Sequence, residues 1–240
     1  MTISGRSGRA VGLLLLAHLV AGLILPYVLL LPVSARAGAF LESAAAMELT
    51  LRLCVLMLVL GAAASLGISV LLWSVARQHH HRLGLWLLAL AAVNFTLQLV
   101  ENAHWLSLLT ISQAYGAAGA DRALFETLGI AAHASFRWAH YSHILIAVGW
   151  LFTLYLLLHR AFLVPRWIAA AGMGAALLHF IGITLPAFGG YRMPYPDLFG
   201  APLGVVILVL VLRLMARGFP VASIQAGGGP AAPVDRAEGP

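Results

Sequence analysis

Lysine is absent from the 240 residues. Without it no retinal or other lysine Schiff base can form, which removes rhodopsin-type photochemistry. Cysteine occurs once, as Cys54 in an apolar run. An intrachain disulfide is therefore impossible, and so is any structural zinc site that needs two or more cysteines. Charge is scarce, at 9% Asp, Glu, Lys and Arg against about 25% in an average soluble domain. Also missing are G-x-G-x-x-G, a Walker loop and a G-x-S-x-G elbow. There is no Ser/His/Asp set, no pair of Asp-rich prenyl-diphosphate motifs, and none of the repeated HxxxH and HxxHH boxes of membrane desaturases. Nothing points to nucleic acid.

What is present is lipid-soluble sequence: 62% of residues are hydrophobic and the mean hydropathy is +0.95. The apolar runs are continuous rather than alternating, which excludes a β-barrel. The class is all-α, a polytopic integral membrane helix bundle of about six transmembrane helices, given about 20 residues per crossing. The spans run from about Val11 to Leu31, Leu49 to Val75, Leu83 to Leu109, Ala134 to Leu158, Trp167 to Phe188 and Pro202 to Leu214.

Arginine sets the orientation. Arg6 and Arg9 precede span one, Arg77 and Arg82 separate spans two and three, Arg160 and Arg166 separate spans four and five, and Arg213 and Arg217 end span six. With six crossings all eight share one face, which is then cytoplasmic, and both termini lie there, as expected of a multi-pass bacterial inner-membrane protein. Arg36, Arg122 and Arg192 fall outside, balanced by Glu42, Asp121 and Asp197. Ala35-Arg36-Ala37 resembles a signal-peptidase site, but the preceding apolar stretch exceeds the usual 7–15 residues, so an uncleaved helix is expected. The Ser34–Met47 loop suits a short interfacial helix, and Asp121 suits an N-cap that would start the fourth helix early. Gly189–Pro196 reads as a rigid outer loop with aromatic-belt character. Residues 1–219 form one transmembrane domain, and 220–240 read as a disordered cytoplasmic tail.

Ionisable residues inside such spans are costly and usually face a bundle interior or a watery cavity. One helix carries Glu126, His133, Arg137 and His140 on a narrow stripe, with His143 at its edge. Span three carries Asn94, Gln98 and Glu101 on one stripe, with His104 at its edge. His179 lies in span five, and Glu48 and Arg52 open span two. Counted from the cytoplasmic arginines, these four helices place ionisable groups at a similar depth, in the outer half of the bundle.

Neutral imidazoles suit haem or a transition metal. The metal candidates are His104, His133, His140, His143, His179 and Glu101. Glu101 and His104 have the i, i+3 spacing of helical carboxylate/His sites. His133 and His140 lie about 10.5 Å apart along the axis and cannot share one ion directly, so each needs a partner from another helix, such as His104 or His179. His140 and His143, at i, i+3, could share one. Ligand-binding candidates are Arg137, Arg52, Glu48 and Glu126; Glu48 and Arg52 have the spacing of a helical ion pair. His18, alone on an apolar helix, reads as a satisfied core residue, and His79-His80-His81 as a solvated turn.

Leu51-Arg52-Leu53 before an apolar span, then Leu83-Gly84-Leu85-Trp86-Leu87-Leu88-Ala89, resembles the first half of the DUF4386 family. Leu163-Val164-Pro165-Arg166-Trp167-Ile168 resembles its hallmark opening of the fifth helix, and Leu212-Arg213-Leu214-Met215-Ala216-Arg217-Gly218-Phe219 its closing segment. The likeness covers roughly residues 10–219. It implies a bacterial six-helix membrane architecture and no activity.

Three functions compete on these residues. The first is a redox or metal-dependent protein holding haem or a transition metal. The second is a carrier or sensor that relays protons or holds a small anionic ligand. The third is a structural protein whose polar seam only orients helices. Whether the chain is an enzyme stays open; the partners expected are the lipid bilayer and a small-molecule ligand.

Overall fold

A computed structural model describes residues 5–25, 28–29, 37–117, 119, 121–188 and 199–220. The cleavage-like Ala35-Arg36, the Gly189–Pro196 loop, Arg192, Asp197 and the 221–240 tail lie outside the described residues. Every element described is helical.

Helix α1 (Gly5–Leu19) continues as a π-helical segment, Val20–Ile24, in which the Leu25 N–H bonds back to the Val20 carbonyl. Helix α2 (Ala37–Ser43) and a 3-10 turn (Ala45–Met47) form within the Ser34–Met47 stretch. The long helices come next: α3 (Glu48–His79), α4 (His81–Tyr115), α5 (Arg122–Arg160), α6 (Arg166–Phe188) and α7 (Ala201–Arg217). Asp121 caps α5 as the sequence predicts, its carboxylate accepting the Leu124 N–H at 3.2 Å. Pro165 sits directly before α6, and its carbonyl takes the Ile168 N–H at 3.1 Å. Pro202 opens the first turn of α7, where no intrahelical N–H is needed. Gly218, at φ +63, ends that helix in the left-handed region.

The helices α1, α3, α4, α5, α6 and α7 pack each against the next, and α7 returns to α1, closing a ring in chain order. Short connections make neighbours antiparallel; His80 alone joins α3 to α4. Small residues let backbones meet. A Cβ on Gly8 would lie 2.2 Å from the Phe219 backbone nitrogen, where α1 meets the end of α7. A Cβ on Gly61 would lie 2.7 Å from the Gly22 Cα, where the π segment crosses α3.

Two apolar cores result. The larger fills the ring toward the arginine-rich end, with Leu15, Ile68, Leu72, Leu87, Leu154, Leu158, Ile168, Val211 and Leu214 buried. The smaller, around Phe40, Leu51, Cys54, Trp105, Leu108 and Phe136, joins α2 to α3, α4 and α5.

Helices α3 to α6 are long and apolar enough to cross a membrane. Their exposed faces carry Leu56, Leu60, Val93, Leu99, Leu177 and Ile181, a surface suited to acyl chains rather than water. Trp167 and Phe188, both exposed, bracket α6. They are 21 residues, or about 31 Å, apart, close to the roughly 30 Å hydrocarbon thickness. The Trp138 ring lies 6.2 Å from Phe188, so Trp138 marks the same level on α5, at the end away from the arginine-rich one. With 39 residues, α5 is about 58 Å long and overshoots that level. The excess lengths of α3, α4 and α5, with α2, build a helical head around the smaller core. The sequence reading starts the fourth span near Ala134 because hydropathy registers only the apolar part of a helix that begins at Arg122.

Candidate functional site

The site forms where α4 faces α5, between the two cores. Glu101 is 3% exposed. Its two carboxylate oxygens each accept a hydrogen bond from a different imidazole: His140 Nδ1 at 2.9 Å to Oε1, and His143 Nδ1 at 2.8 Å to Oε2. The i, i+3 spacing of the histidines puts their rings one turn apart on one face, so a single carboxylate spans both. An ionised carboxylate only accepts. Each ring therefore donates from Nδ1, and in its neutral form it keeps a lone pair on Nε2. His143 is the more enclosed, with 12% of its side chain exposed against 41% for His140.

An aromatic column fixes the outer ring. Phe40 packs on Trp105, Trp105 lies 4.4 Å from Phe136, and Phe136 stacks on His140 at 5.7 Å and 26°. The head core thus reaches the site through His140. By residue count along α5, His140 and His143 lie about 3 and 7.5 Å from the Trp138 level toward the arginine-rich end.

Beneath the carboxylate a polar layer crosses the ring. Gln98 donates to the Asn102 side-chain oxygen at 2.9 Å, and Asn102 donates to the Val55 carbonyl at 3.2 Å. Asn94 donates to Ser65 Oγ at 3.3 Å, and the Trp150 indole N–H to Ser69 Oγ at 3.0 Å. His18 donates through Nδ1 to the Gly61 carbonyl at 2.9 Å, with its ring 5.2 Å from Trp150. Sequence reasoning placed Asn94 and Gln98 on the Glu101 stripe but missed Asn102, Ser65, Ser69 and Trp150. The i, i+4 pair Ser65 and Ser69 on α3 was the available signal.

The remaining candidates sit apart from the carboxylate. His133 is half-buried with its ring 6.2 Å from Phe136, one helical turn further out. His104, half-buried on α4, makes no hydrogen bond or ring contact among the described residues. His179 is half-buried on α6. Arg137 and Glu126 are exposed. The imidazoles, not Arg137, occupy both oxygens of Glu101. Arg52 and Glu48 pair at 2.8 Å, and Gln113 also donates to Glu48 at 2.9 Å. Among the described residues no three His, Cys, Asp or Glu side chains converge as a metal-binding group.

No curated protein and no solved structure matches the chain. The family model described as a domain of unknown function, DUF4386, matches residues 10–218, a span that takes in the ring from α1 to α7 except the first residues of α1; the chain belongs to the DUF4386 family.

Proposed function

We propose that this is a proton-binding membrane protein, a sensor or proton-linked carrier, whose site is Glu101 with His140 and His143. The observation that carries this reading is one buried carboxylate holding two imidazoles by Nδ1. A structural seam needs only one donor per acceptor pair and no titratable group. Here the carboxylate fixes both tautomers and leaves both Nε2 atoms as bases. Protonation at each Nε2 takes the cluster from net negative to net positive without breaking either bond to Glu101. Arg137, exposed one turn outward, adds a permanent positive charge. The protonated site therefore suits a small anion, and the unprotonated one does not.

The larger apolar core seals the cytoplasmic side of the site, which favours sensing, or one state of an alternating carrier, over an open path. The arginine pattern supports six crossings in the inner membrane, with both termini cytoplasmic and the site facing out. Carboxylate-to-Nδ1 bonds are also what ligating histidines make, so a metal is the rival outcome of the test. The metal candidates His104, His133 and His179 supply no third converging group.

The test is proton uptake by the full chain in proteoliposomes, read by a pH dye confined outside while the medium falls from pH 8 to 5. Wild type takes up protons that Glu101→Gln and the double variant His140→Asn/His143→Asn do not. Equal uptake by all three overturns the reading. Stoichiometric metal in the purified protein, lost in the double variant, replaces it with the metal reading.

A further inference from the structure

The turn from α5 to α6 carries a residue that its backbone disfavours. Helix α5 ends in a Schellman motif. The Leu163 N–H bonds to the Leu158 carbonyl at 3.1 Å, and the Phe162 N–H to the His159 carbonyl at 3.3 Å. Phe162 holds the left-handed position of that motif, at φ +52, and is the one non-glycine at positive φ among the described residues. Glycine is usual there, because a Cβ is strained and a bulky side chain more so. Leu158 and Leu163 make the buried apolar pair that accompanies the motif. Phe162 is instead 54% exposed, so burial of its ring in a core does not offset the strain. Strain that persists without such a return points to function.

What the ring does meet is charge. The Arg166 guanidinium lies over its face, 4.8 Å from the centroid. No carboxylate competes for that guanidinium: the described acids, Glu42, Glu48, Glu101, Asp121 and Glu126, lie toward the opposite end of the bundle. Arg160, the last residue of α5, is exposed, and so is Trp167 beside Arg166. Trp167 marks the membrane boundary on α6, so Phe162 and Arg166 stand just beyond it, at headgroup level. A guanidinium with a free fork takes a phosphate by two parallel N–H bonds. The exposed Phe162 and Trp167 rings next to that fork suit acyl carbons. A ligand with both parts is a phospholipid. The choline of a zwitterionic lipid finds no carboxylate here, whereas a net negative headgroup meets Arg160 as well as Arg166.

We propose that Phe162, Arg166 and Trp167 form a binding site for one anionic phospholipid. Arg166 takes the phosphate, Arg160 adds charge, and the upper acyl carbons lie against the two exposed rings. The strained turn sets the Phe162 ring under the guanidinium and so holds the fork in place. The site is separate from Glu101 and its histidines and stands without them.

Full-length protein in a mild detergent, titrated with phosphatidylglycerol and followed by native mass spectrometry, tests this. Wild type retains a first phosphatidylglycerol more tightly than later ones and more tightly than phosphatidylcholine. Arg166→Gln weakens that first binding by about tenfold or more. Arg77→Gln removes the same charge from α3, across the ring from α6, and changes it by less than about twofold. Phe162→Gly suits the left-handed position, so its Tm without added lipid equals or exceeds that of wild type. It nonetheless weakens the first phosphatidylglycerol by about threefold or more. Equal losses from Arg166→Gln and Arg77→Gln overturn the site, since overall positive charge then explains the binding. Equal retention of phosphatidylcholine overturns it too. Displacement of the lipid by millimolar inorganic phosphate makes this a site for the free anion and overturns the lipid assignment. Wild-type lipid affinity in Phe162→Gly, or a fall in its Tm without lipid, overturns the role given to the strained ring.

Discussion

Replacing Glu101 by Gln keeps the shape of the side chain and removes its charge. The native carboxylate takes Nδ1–H groups at 2.9 and 2.8 Å while almost wholly buried. A Gln amide offers one oxygen and one NH2, so one imidazole still donates to the oxygen while the other must shift its proton to Nε2 and accept from the NH2 at Nδ1. Hydrogen bonds to charged groups are worth about 1.5–3 kcal/mol each in soluble proteins. Polar pairs between membrane helices average about 0.6 and reach about 1.7 kcal/mol. Two charge-assisted bonds become neutral ones and one ring is forced into the other tautomer, so the expected cost is about 1–3 kcal/mol. For a chain of this size about 2 kcal/mol corresponds to a fall in Tm of about 4–8 °C. Thermal unfolding in nanodiscs, followed by far-UV circular dichroism at pH 8, measures it. His143→Ala costs more than His140→Ala, because His143 is the more enclosed. The Asn variants, which keep a donor, cost less than either. In the double-mutant cycle the Glu101→Gln and His143→Ala losses fall short of additive, since both break one bond. A Glu101→Gln protein within about 1 °C of wild type, or a strictly additive cycle, refutes the claim that this carboxylate joins α4 to α5.

Other consequences are quicker to state. Gly8→Ala places a methyl 2.2 Å from the Phe219 backbone and prevents closure of α7 on α1, lowering stability by at least about 1–3 kcal/mol; Gly149→Ala meets nothing within 4 Å and raises it by about 0.5–1 kcal/mol, both read as Tm. Arg52→Ala changes stability by under about 1 kcal/mol, because its pair with Glu48 is exposed, and leaves proton uptake unaltered. Ser69→Ala frees the Trp150 indole N–H inside the ring and costs about 1–3 kcal/mol, with a shift of Trp150 emission, measured in a chain whose other tryptophans are replaced by Phe.

The ring of helices was legible because lipid imposes a simple rule: each crossing is an unbroken apolar run, and arginine marks one end. The helix ends of α6 and α7 lie within a few residues of that reading, whereas α4 runs six residues past Leu109 and α5 starts a dozen before Ala134. There the apolar signal fades while the backbone continues, because the head core needs only one face, carried by Phe136 and Gly129. Of the histidine stripe, only His140 and the edge residue His143 meet Glu101, while Glu126 and Arg137 share the stripe by residue count yet are exposed. The partner of the two histidines was not legible, since helical periodicity says which residues share a face but not how far two helices are rotated against each other. Glu101 and His104 share a helix and looked like a pair, yet the carboxylate turns across the gap to α5. The i, i+3 spacing of His140 and His143, which suggested a shared ion, describes two rings that reach a shared carboxylate equally well. Sequence spacing fixes the separation of the imidazoles and leaves open what lies between them. His18 shows the same limit from the other side. One histidine in an apolar helix carries no pattern at all, and only the packing of α1 on Gly61 and Trp150 brings it to the inner edge of the polar layer.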